Sequence, residues 1–433
     1  MKRRTIFLIL SLPALLLVSG LAVWTWLMNT EHGLHWLIER LDGAVAGRVS
    51  VSQARGDLAD GISLSGMVYE DSSARISIEK LTLAVDVDLF PPGIGLLSPS
   101  LERVTLQSLG QPEGDLDISA TLSDLSLPIP IGVEGLRITE FELLDAGGTP
   151  ENRIDALELT GSLSRTLVIE RGSLVSSPHR LAISGQVGLS APHRLQLALE
   201  AGGEFSARAS VRGSLDSADL RFESDEPRLT IEGTVADVTG TPNWDLSAAS
   251  PLLEWPGDDQ SIALTVEDFS AQSRGELSGY RLSLGGRIQT DALQALSLDL
   301  EASGNREELT IEQVTASGEE LSLTAAGFAT WKEQAAVEAD IELARLDPVH
   351  WLEDWPEGRL LSGRLQAGWS GRRLEISRFT LSVPGSPLTV EGGGIVDLDS
   401  GVVDGELSWQ QLSWPPGSEK PDLISPTGRL TVS

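Results

Sequence analysis

From Val49 onward one short word recurs along the chain: apolar, any residue, apolar, any residue, glycine. It reads Ile62-x-Leu64-x-Gly66, Leu157-x-Leu159-x-Gly161, Leu181-x-Ile183-x-Gly185 and Leu229-x-Ile231-x-Gly233. It returns as Leu282-x-Leu284-x-Gly286, Leu323-x-Ala325-x-Gly327 and Leu388-x-Val390-x-Gly392. Apolar residues at every second position lie together on one face of a strand and scatter around a helix. Stretches such as Leu81-x-Leu83-x-Val85-x-Val87 and Leu195-x-Leu197-x-Leu199 carry the same alternation. A longer register holds in three places, where Leu167 to Gly185, Leu309 to Gly327 and Leu374 to Gly392 each span 18 positions. Ile169, Ile311 and Ile376 match within it, so the unit reads as two strands joined by a polar turn. The expectation is an all-β repeat array over 49–433, a long repetitive curled sheet in the form of an open groove or a solenoid. At roughly 11 residues per strand and turn it would hold about 36 strands, stacked on the order of 170 Å at about 4.8 Å each.

The glycine of each word falls on the apolar side of its strand. A strand glycine packs nothing and marks a bend or a close approach. Gly66, Gly161, Gly185, Gly233, Gly286, Gly327 and Gly392 are therefore candidate strand bends. Two structures satisfy this parity: a solid sandwich or solenoid core, and a sheet curled into a trough with an apolar inner wall. For the trough, the candidate wall is Ile62, Leu64, Leu157, Leu159, Leu181, Ile183, Leu229, Ile231, Leu282, Leu284, Leu323, Leu388 and Val390.

Ahead of the array, Ile6 to Met28 runs 23 residues without a charge, after Lys2, Arg3 and Arg4 in a basic tail at 1–5. A helix of that length covers about 35 Å, enough for a hydrocarbon core of about 30 Å. The basic end stays cytoplasmic, and Trp24 and Trp26 suit the far interface. A cleaved signal peptide is the competing reading, but it calls for a hydrophobic stretch of about 7–15 residues, and Gly20-Leu21-Ala22 is only a fair cleavage site. The expectation is one transmembrane anchor at 6–28, followed by a short amphipathic helix at 30–42. Thr30 would cap that helix, with Leu34, Leu37, Ile38 and Leu41 on one face.

Formal net charge is −31, which repels DNA, RNA and anionic headgroups and makes nucleic acid an unsuitable partner. With no cysteine, disulfides and thiolate metal sites are excluded. His32, His35, His179, His193 and His350 are scattered and read as surface or interface residues. Asp86/Asp88, Asp115/Asp117 and Asp397/Asp399 each place two carboxylates on one strand face, but the intervening apolar residues mark half-buried strands with a solvated side. Asp399-Ser400-Gly401 reads as a hairpin turn. No nucleophile elbow or phosphate loop is present, so neither an enzyme nor a cofactor is expected. Two stretches interrupt the alternation. Asp347 capping Pro348 predicts about two helical turns before Pro356, and Phe90 to Ser98 is a corner, lid or plug. The strand pattern at Gly428-x-Leu430-x-Val432 has no capping unit, predicting a continuation past Ser433 or pairing with another chain.

Several segments resemble one family. Thr30-Glu31-His32-Gly33-Leu34-x-Trp36-Leu37 after an anchor is similar to the start of TamB, the inner-membrane subunit of the bacterial translocation and assembly module. Val51-x-x-Ala54-x-Gly56-x-Leu58-x-x-Gly61-Ile62-x-Leu64, Val68-Tyr69-Glu70-Asp71 and Leu346-Asp347-Pro348-x-x-Trp351 before Gly358-Arg359-Leu360 add to the likeness. The resemblance implies a curled β-sheet with an apolar groove, related to AsmA-like and bridge-like lipid transfer proteins. It implies an inner-membrane protein with its bulk in the periplasm, phospholipid transfer toward the outer membrane, and a part in protein secretion and outer-membrane protein assembly with a TamA-type barrel. TamB proteins are much longer, and their characteristic C-terminal domain is not represented in these 433 residues, which bears on contact with that barrel. Phospholipid acyl chains and the inner membrane are the expected partners, since an aliphatic wall replaces water around hydrocarbon at about 0.8 kcal/mol per buried CH₂. Two other readings use the same sequence: a scaffold pairing with client strands by β-augmentation, and a purely structural β-solenoid spacer.

Overall fold

The computed structural model describes residues 25–432 apart from 27, 45–46, 73, 110–121, 123–124, 204, 256–263, 291–292, 333, 351–354, 399 and 417–420. Lys2, Arg3, Arg4, Ile6 and Trp24 of the expected anchor lie outside these residues. Among the described residues no helix is long and apolar enough to cross a membrane.

The chain divides into two compact units, Met1–Ala218 and Asp219–Ser433. In the first, helix α1 (Glu31–Ala44) precedes β1 (Arg48–Asp57), β2 (Gly61–Glu70), β3 (Ala74–Leu89), β4 (Pro92–Ser108), β5 (Ile131–Leu144), β6 (Pro150–Leu163), β7 (Thr166–Ser176), β8 (His179–Gly188), β9 (Arg194–Gly202) and β10 (Ala207–Ser214). Strand β11 (Ser217–Asp225) straddles the division. The second unit holds β12 (Arg228–Ala236), β13 (Asn243–Trp255), β14 (Leu264–Glu276), β15 (Gly279–Thr290), β16 (Leu293–Gly304), β17 (Glu308–Ser317) and β18 (Leu321–Thr330). It continues with β19 (Ala336–Leu346), β20 (Leu361–Ser370), β21 (Arg373–Ser382), β22 (Thr389–Asp397), β23 (Val403–Trp414) and β24 (Leu423–Val432). The described residues thus form 24 strands instead of about 36. Strands of 8 to 17 residues run through glycines and kinks where a shorter strand would have ended.

Within each unit every strand pairs with its chain neighbour, β1 to β10 in one and β12 to β24 in the other. Among the pairs described, β4 with β5 is parallel and the rest are antiparallel. A parallel neighbour needs a crossover; the chain between β4 and β5 is 109–130, of which 110–121 and 123–124 lie outside the described residues.

Two irregularities shape the strands. In β2 to β5 a line of unpaired positions crosses the first unit at Gly66, Glu79, Arg103 and Glu140. Three of them have positive φ: Gly66 at 61°, Arg103 at 48° and Glu140 at 56°. The inserted residue flips the alternation, so Leu81 and Ile78 both reach the apolar face although their parities differ. Arg103 is held there by Glu79 at 2.6 Å and Glu140 at 3.4 Å. The second irregularity sits at one offset in all three 18-position repeats. Glu170-Arg171, Glu312-Gln313 and Ser377-Arg378 each stand as two residues opposite one on the next strand. Such β-bulges bend the strand and increase its twist.

The helix forms as its cap directs, with the Gly33 N–H donating to Thr30 Oγ1 at 3.1 Å. Leu34, 1% exposed, packs with Met28, Leu58, Ile62 and Leu64. The interruptions are described in part. After Asp347 there is a single 3₁₀ turn, Pro348–His350, in which the Val349 N–H donates to Asp347 Oδ1 at 3.2 Å. Residues 351–354 lie outside the description. Phe90-Pro91 is a hairpin corner, and β4 resumes at Pro92.

Candidate functional site

Residues paired across neighbouring strands point to the same side, so ladder registers trace each face row by row. In the first unit one row runs Ala54–Leu64–Leu81–Leu101–Ile138–Leu157–Leu174–Leu181–Ala201–Ala207, one residue from each of β1 to β10. In the second, Ile231–Ala248–Ala271–Leu284–Leu300–Val314–Ala325–Ile341–Leu365–Phe379–Gly392–Leu407–Leu430 crosses β12 to β24. Neither row contains a polar side chain. Parallel rows extend the face, such as Val87–Ile94–Ile131–Leu163–Leu167–Val187–Leu195–Gly213 in the first unit.

Burial shows what lies over this face. From Ile231 to Leu407 every residue of the second row is half-buried. A side chain walled by neighbours on its own sheet, with nothing stacked above it, has that exposure; a facing sheet would bury it outright. Among the described residues, two clusters of fully buried side chains cover part of the face. In the first unit α1 covers Ile62 and Leu64, each 7% exposed. In the second, Trp355 packs with Val383 and Leu388 and meets Trp414 edge-on at 5.9 Å, its indole N–H bonded to the Arg359 carbonyl oxygen at 2.5 Å.

Leu157, Leu159, Leu181, Ile183, Leu229, Ile231, Leu282, Leu284, Leu323 and Val390 of the candidate wall are half-buried residues of strands. Ile62 and Leu64 are strand residues under the helix. Leu388 departs from the expected wall: it precedes β22, after the Pro384–Pro387 turn, and is buried in the Trp355 cluster.

The word's glycines stand where a neighbouring strand crowds in. At Gly185 (φ 135°) a Cβ would overlap the Gln196 carbonyl oxygen, and at Gly233 (φ 153°) that of Asp245. Gly161, Gly327 and Gly392 likewise face carbonyls of Val168, Glu338 and Glu406, Gly66 faces the Ser52 side chain, and Gly286 faces Val266. Other glycines leave room for a ring. Trp409 lies across Gly428 and donates its indole N–H to Ser425 Oγ at 2.9 Å. Trp244 is paired with Gly275 and donates to Ser273 Oγ at 2.8 Å. Covering a glycine with a cross-strand ring keeps the apolar layer continuous.

The reverse face is polar and laced by cross-strand ion pairs, including Lys80–Glu102 at 2.8 Å, Arg137–Glu158 at 2.9 Å and Arg364–Glu342 at 3.4 Å. Being exposed, such pairs contribute about 0–1 kcal/mol each, so they mark the wet side more than they hold it. Glu307 hydrogen-bonds Lys332 and holds its ammonium pKa above the usual value. A concavity of about 1020 Å³ on this side of β17–β21 carries both signs of charge, Glu312, Asp340 and Glu342 against Arg364 and Arg378.

His32, His35 and His179 are exposed, whereas His193, expected at the surface or an interface, is 4% exposed within its own unit. Its Nδ1 lies 3.1 Å from the Gly188 carbonyl oxygen inside the β8–β9 turn. Asp86 and Asp88 are exposed, and Asp115, Asp117 and Asp399 lie outside the described residues. Asp397 accepts the Ser400 N–H at 2.9 Å in the β22–β23 hairpin. No group of three or more potential metal ligands occurs among the described residues.

Each unit is thus an open, largely uncovered β-ladder, wet on one face and aliphatic on the other, which is the architecture of a β-groove protein. The chain belongs to the TamB family: the family model described as TamB, N-terminal domain, matches residues 103–392, from within β4 to within β22. No curated protein and no solved structure matches the chain. Helix α1 and β1–β3, which carry most of the sequence resemblance, precede the matched span; the Leu346–Trp351 segment lies inside it.

Proposed function

We propose that this chain is a non-enzymatic, membrane-anchored envelope protein whose apolar rows carry phospholipid acyl chains. Residues 6–28 would hold it in a bacterial inner membrane, with the units in the periplasm and lipid passing toward the outer membrane. The observation behind this reading is the second-unit row, apolar at every strand from β12 to β24 and half-buried from Ile231 to Leu407. An acyl chain occupies half of a hydrocarbon core of about 30 Å, so it would lie over three or four strands at about 4.8 Å each. Headgroups need no fixed pocket on such a surface. Membership in the TamB family supports a part in secretion and outer-membrane protein assembly beside a TamA-type barrel. The test is the lipid extracted with the purified chain. Ile183→Asp and Ile231→Asp should each reduce bound phospholipid while leaving β content unchanged; equal lipid in both would refute the reading.

A scaffold that pairs with client strands draws on a different observation. Along β24, described in pairing with β23, Leu423, Ile424, Leu430 and Val432 are 46–68% exposed. That reading requires crosslinks from β24 backbone positions to client strands, and secretion defects without lipid defects.

A further inference from the structure

At one end of the first unit an apolar tip projects beyond its surroundings. Strand β2 reaches Ile62 opposite Leu83, but β3 runs on to Leu89 and turns back into β4 at Pro92. Phe90, at the tip, is 96% exposed. Pro91 and Pro92 are exposed beside it, and so are Pro128, Ile129 and Pro130, where the Ile94 N–H donates to the Pro130 carbonyl oxygen at 3.0 Å. An exposed phenylalanine among four prolines adds nothing to this unit's packing.

The same end fixes the exit of the uncharged run. The Met28 carbonyl oxygen accepts the Ala59 N–H at 3.0 Å in the β1–β2 turn, and the Leu58 carbonyl oxygen accepts the Val85 N–H at 2.8 Å. Met28 is 8% exposed in the cluster that includes Val85 and Val87. Phe90 lies five positions beyond Val85 along the strand, so the tip stands roughly 15 Å beyond that anchorage. Trp26 and Trp36, 42% and 44% exposed, meet edge-on at 6.5 Å next to it.

We propose that the β3–β4 tip is a second membrane contact, in which Phe90, Pro91 and Ile129 dock into the interface of the bilayer that residues 6–28 cross. This rests on the anchor reading above. A zwitterionic lipid surface fits, because the exposed carboxylates of Asp60, Asp86, Asp88 and Glu134 surround the base of the tip and would be repelled by anionic headgroups. They also set a depth limit: the tip enters the headgroup zone and the carboxylates stay in water. Three positions from Phe90, Val87 begins the row Val87–Ile94–Ile131–Leu163–Leu167–Val187–Leu195–Gly213, which crosses β3 to β10 without a polar side chain, so docking of the tip would hold this row alongside the bilayer as the loading edge of the apolar face.

The chain has no cysteine, so one introduced thiol is a unique label. Full-length Phe90→Cys, Ile129→Cys, Trp24→Cys and Ala146→Cys, each carrying a polarity-sensitive fluorophore, would be reconstituted in phosphatidylcholine vesicles containing a spin-labelled lipid quencher. Ala146 lies in the turn at the opposite end of β5. The proposal expects quenching at 90 and 129 severalfold above that at 146 and comparable to that at 24. Quenching at 24 alone would overturn the tip contact and leave the anchor standing. No quenching at any position would overturn the anchor and the tip together.

Discussion

Leu300→Asp, in β16, places a carboxylate in the middle of the second-unit row, flanked by Leu284 and Val314. Full burial of a leucine side chain is worth about 1.5–3 kcal/mol, and this one is half-buried, so its loss destabilises by about 1 kcal/mol. The poorer strand propensity of aspartate adds up to about 1 kcal/mol. With nothing stacked above, the carboxylate stays hydrated and the unit should keep its fold, with a slightly lower Tm. Acyl chains passing over it would strip that water at a cost of several kcal/mol. At about 4 kcal/mol, occupancy of the row falls on the order of a thousandfold. The assay is transfer of fluorescent phospholipid between donor and acceptor vesicles by the full chain. Asp299→Lys, on the wet face one residue away, should transfer like the parent. Burial under lipid also raises a carboxyl pKa, so the block should be full at high pH and ease as pH falls through that raised value. A folded Leu300→Asp protein that transfers lipid at the parental rate would refute the uncovered-row reasoning.

Gly233→Ala forces a Cβ against the Asp245 carbonyl at φ 153° and should destabilise by about 2–4 kcal/mol, read as a lowered unfolding midpoint. Arg103→Gly should be neutral or stabilising, since φ 48° suits glycine and the exposed ion pairs contribute about 1 kcal/mol or less; Arg103→Val should destabilise by more than 1 kcal/mol. Trp355→Ala removes the ring that covers Val383 and Leu388, a loss of about 3–5 kcal/mol. Hydrogen exchange should accelerate in β20–β23 and remain unchanged in β12–β16.

The period-two alternation made the all-β architecture legible, and the 18-position register marked true hairpins: Ile169 pairs with Gly185 and Ile311 with Gly327. In the third copy the bulge falls on the other side of the glycine, and Ile376 pairs with Gly394. The change of phase between Ile78 and Leu81 formed no part of the sequence reading, because its cause, one extra residue at Glu79 aligned with Gly66, Arg103 and Glu140, depends on the neighbouring strands. Strand number was overestimated because a glycine or bulge inside a strand has the same local composition as a turn. Leu388 fits the apolar word and still leaves the wall, because Trp355, distant in sequence, draws it into a buried cluster. The parallel β4–β5 pair had no local signal; the polar Leu109–Pro130 connection reads like any long loop.

The most direct test is a lipid-crosslinking scan of the second unit in cells. A photoreactive residue would be placed in turn at Ile231, Leu284, Leu300, Ile341, Leu365 and Leu407, and at Glu232, Glu301, Glu342 and Glu391 on the reverse face. Phospholipid adducts at the six aliphatic positions and none at the four glutamates are expected. Adducts spread evenly over both faces, or absent from the aliphatic one, would contradict the account.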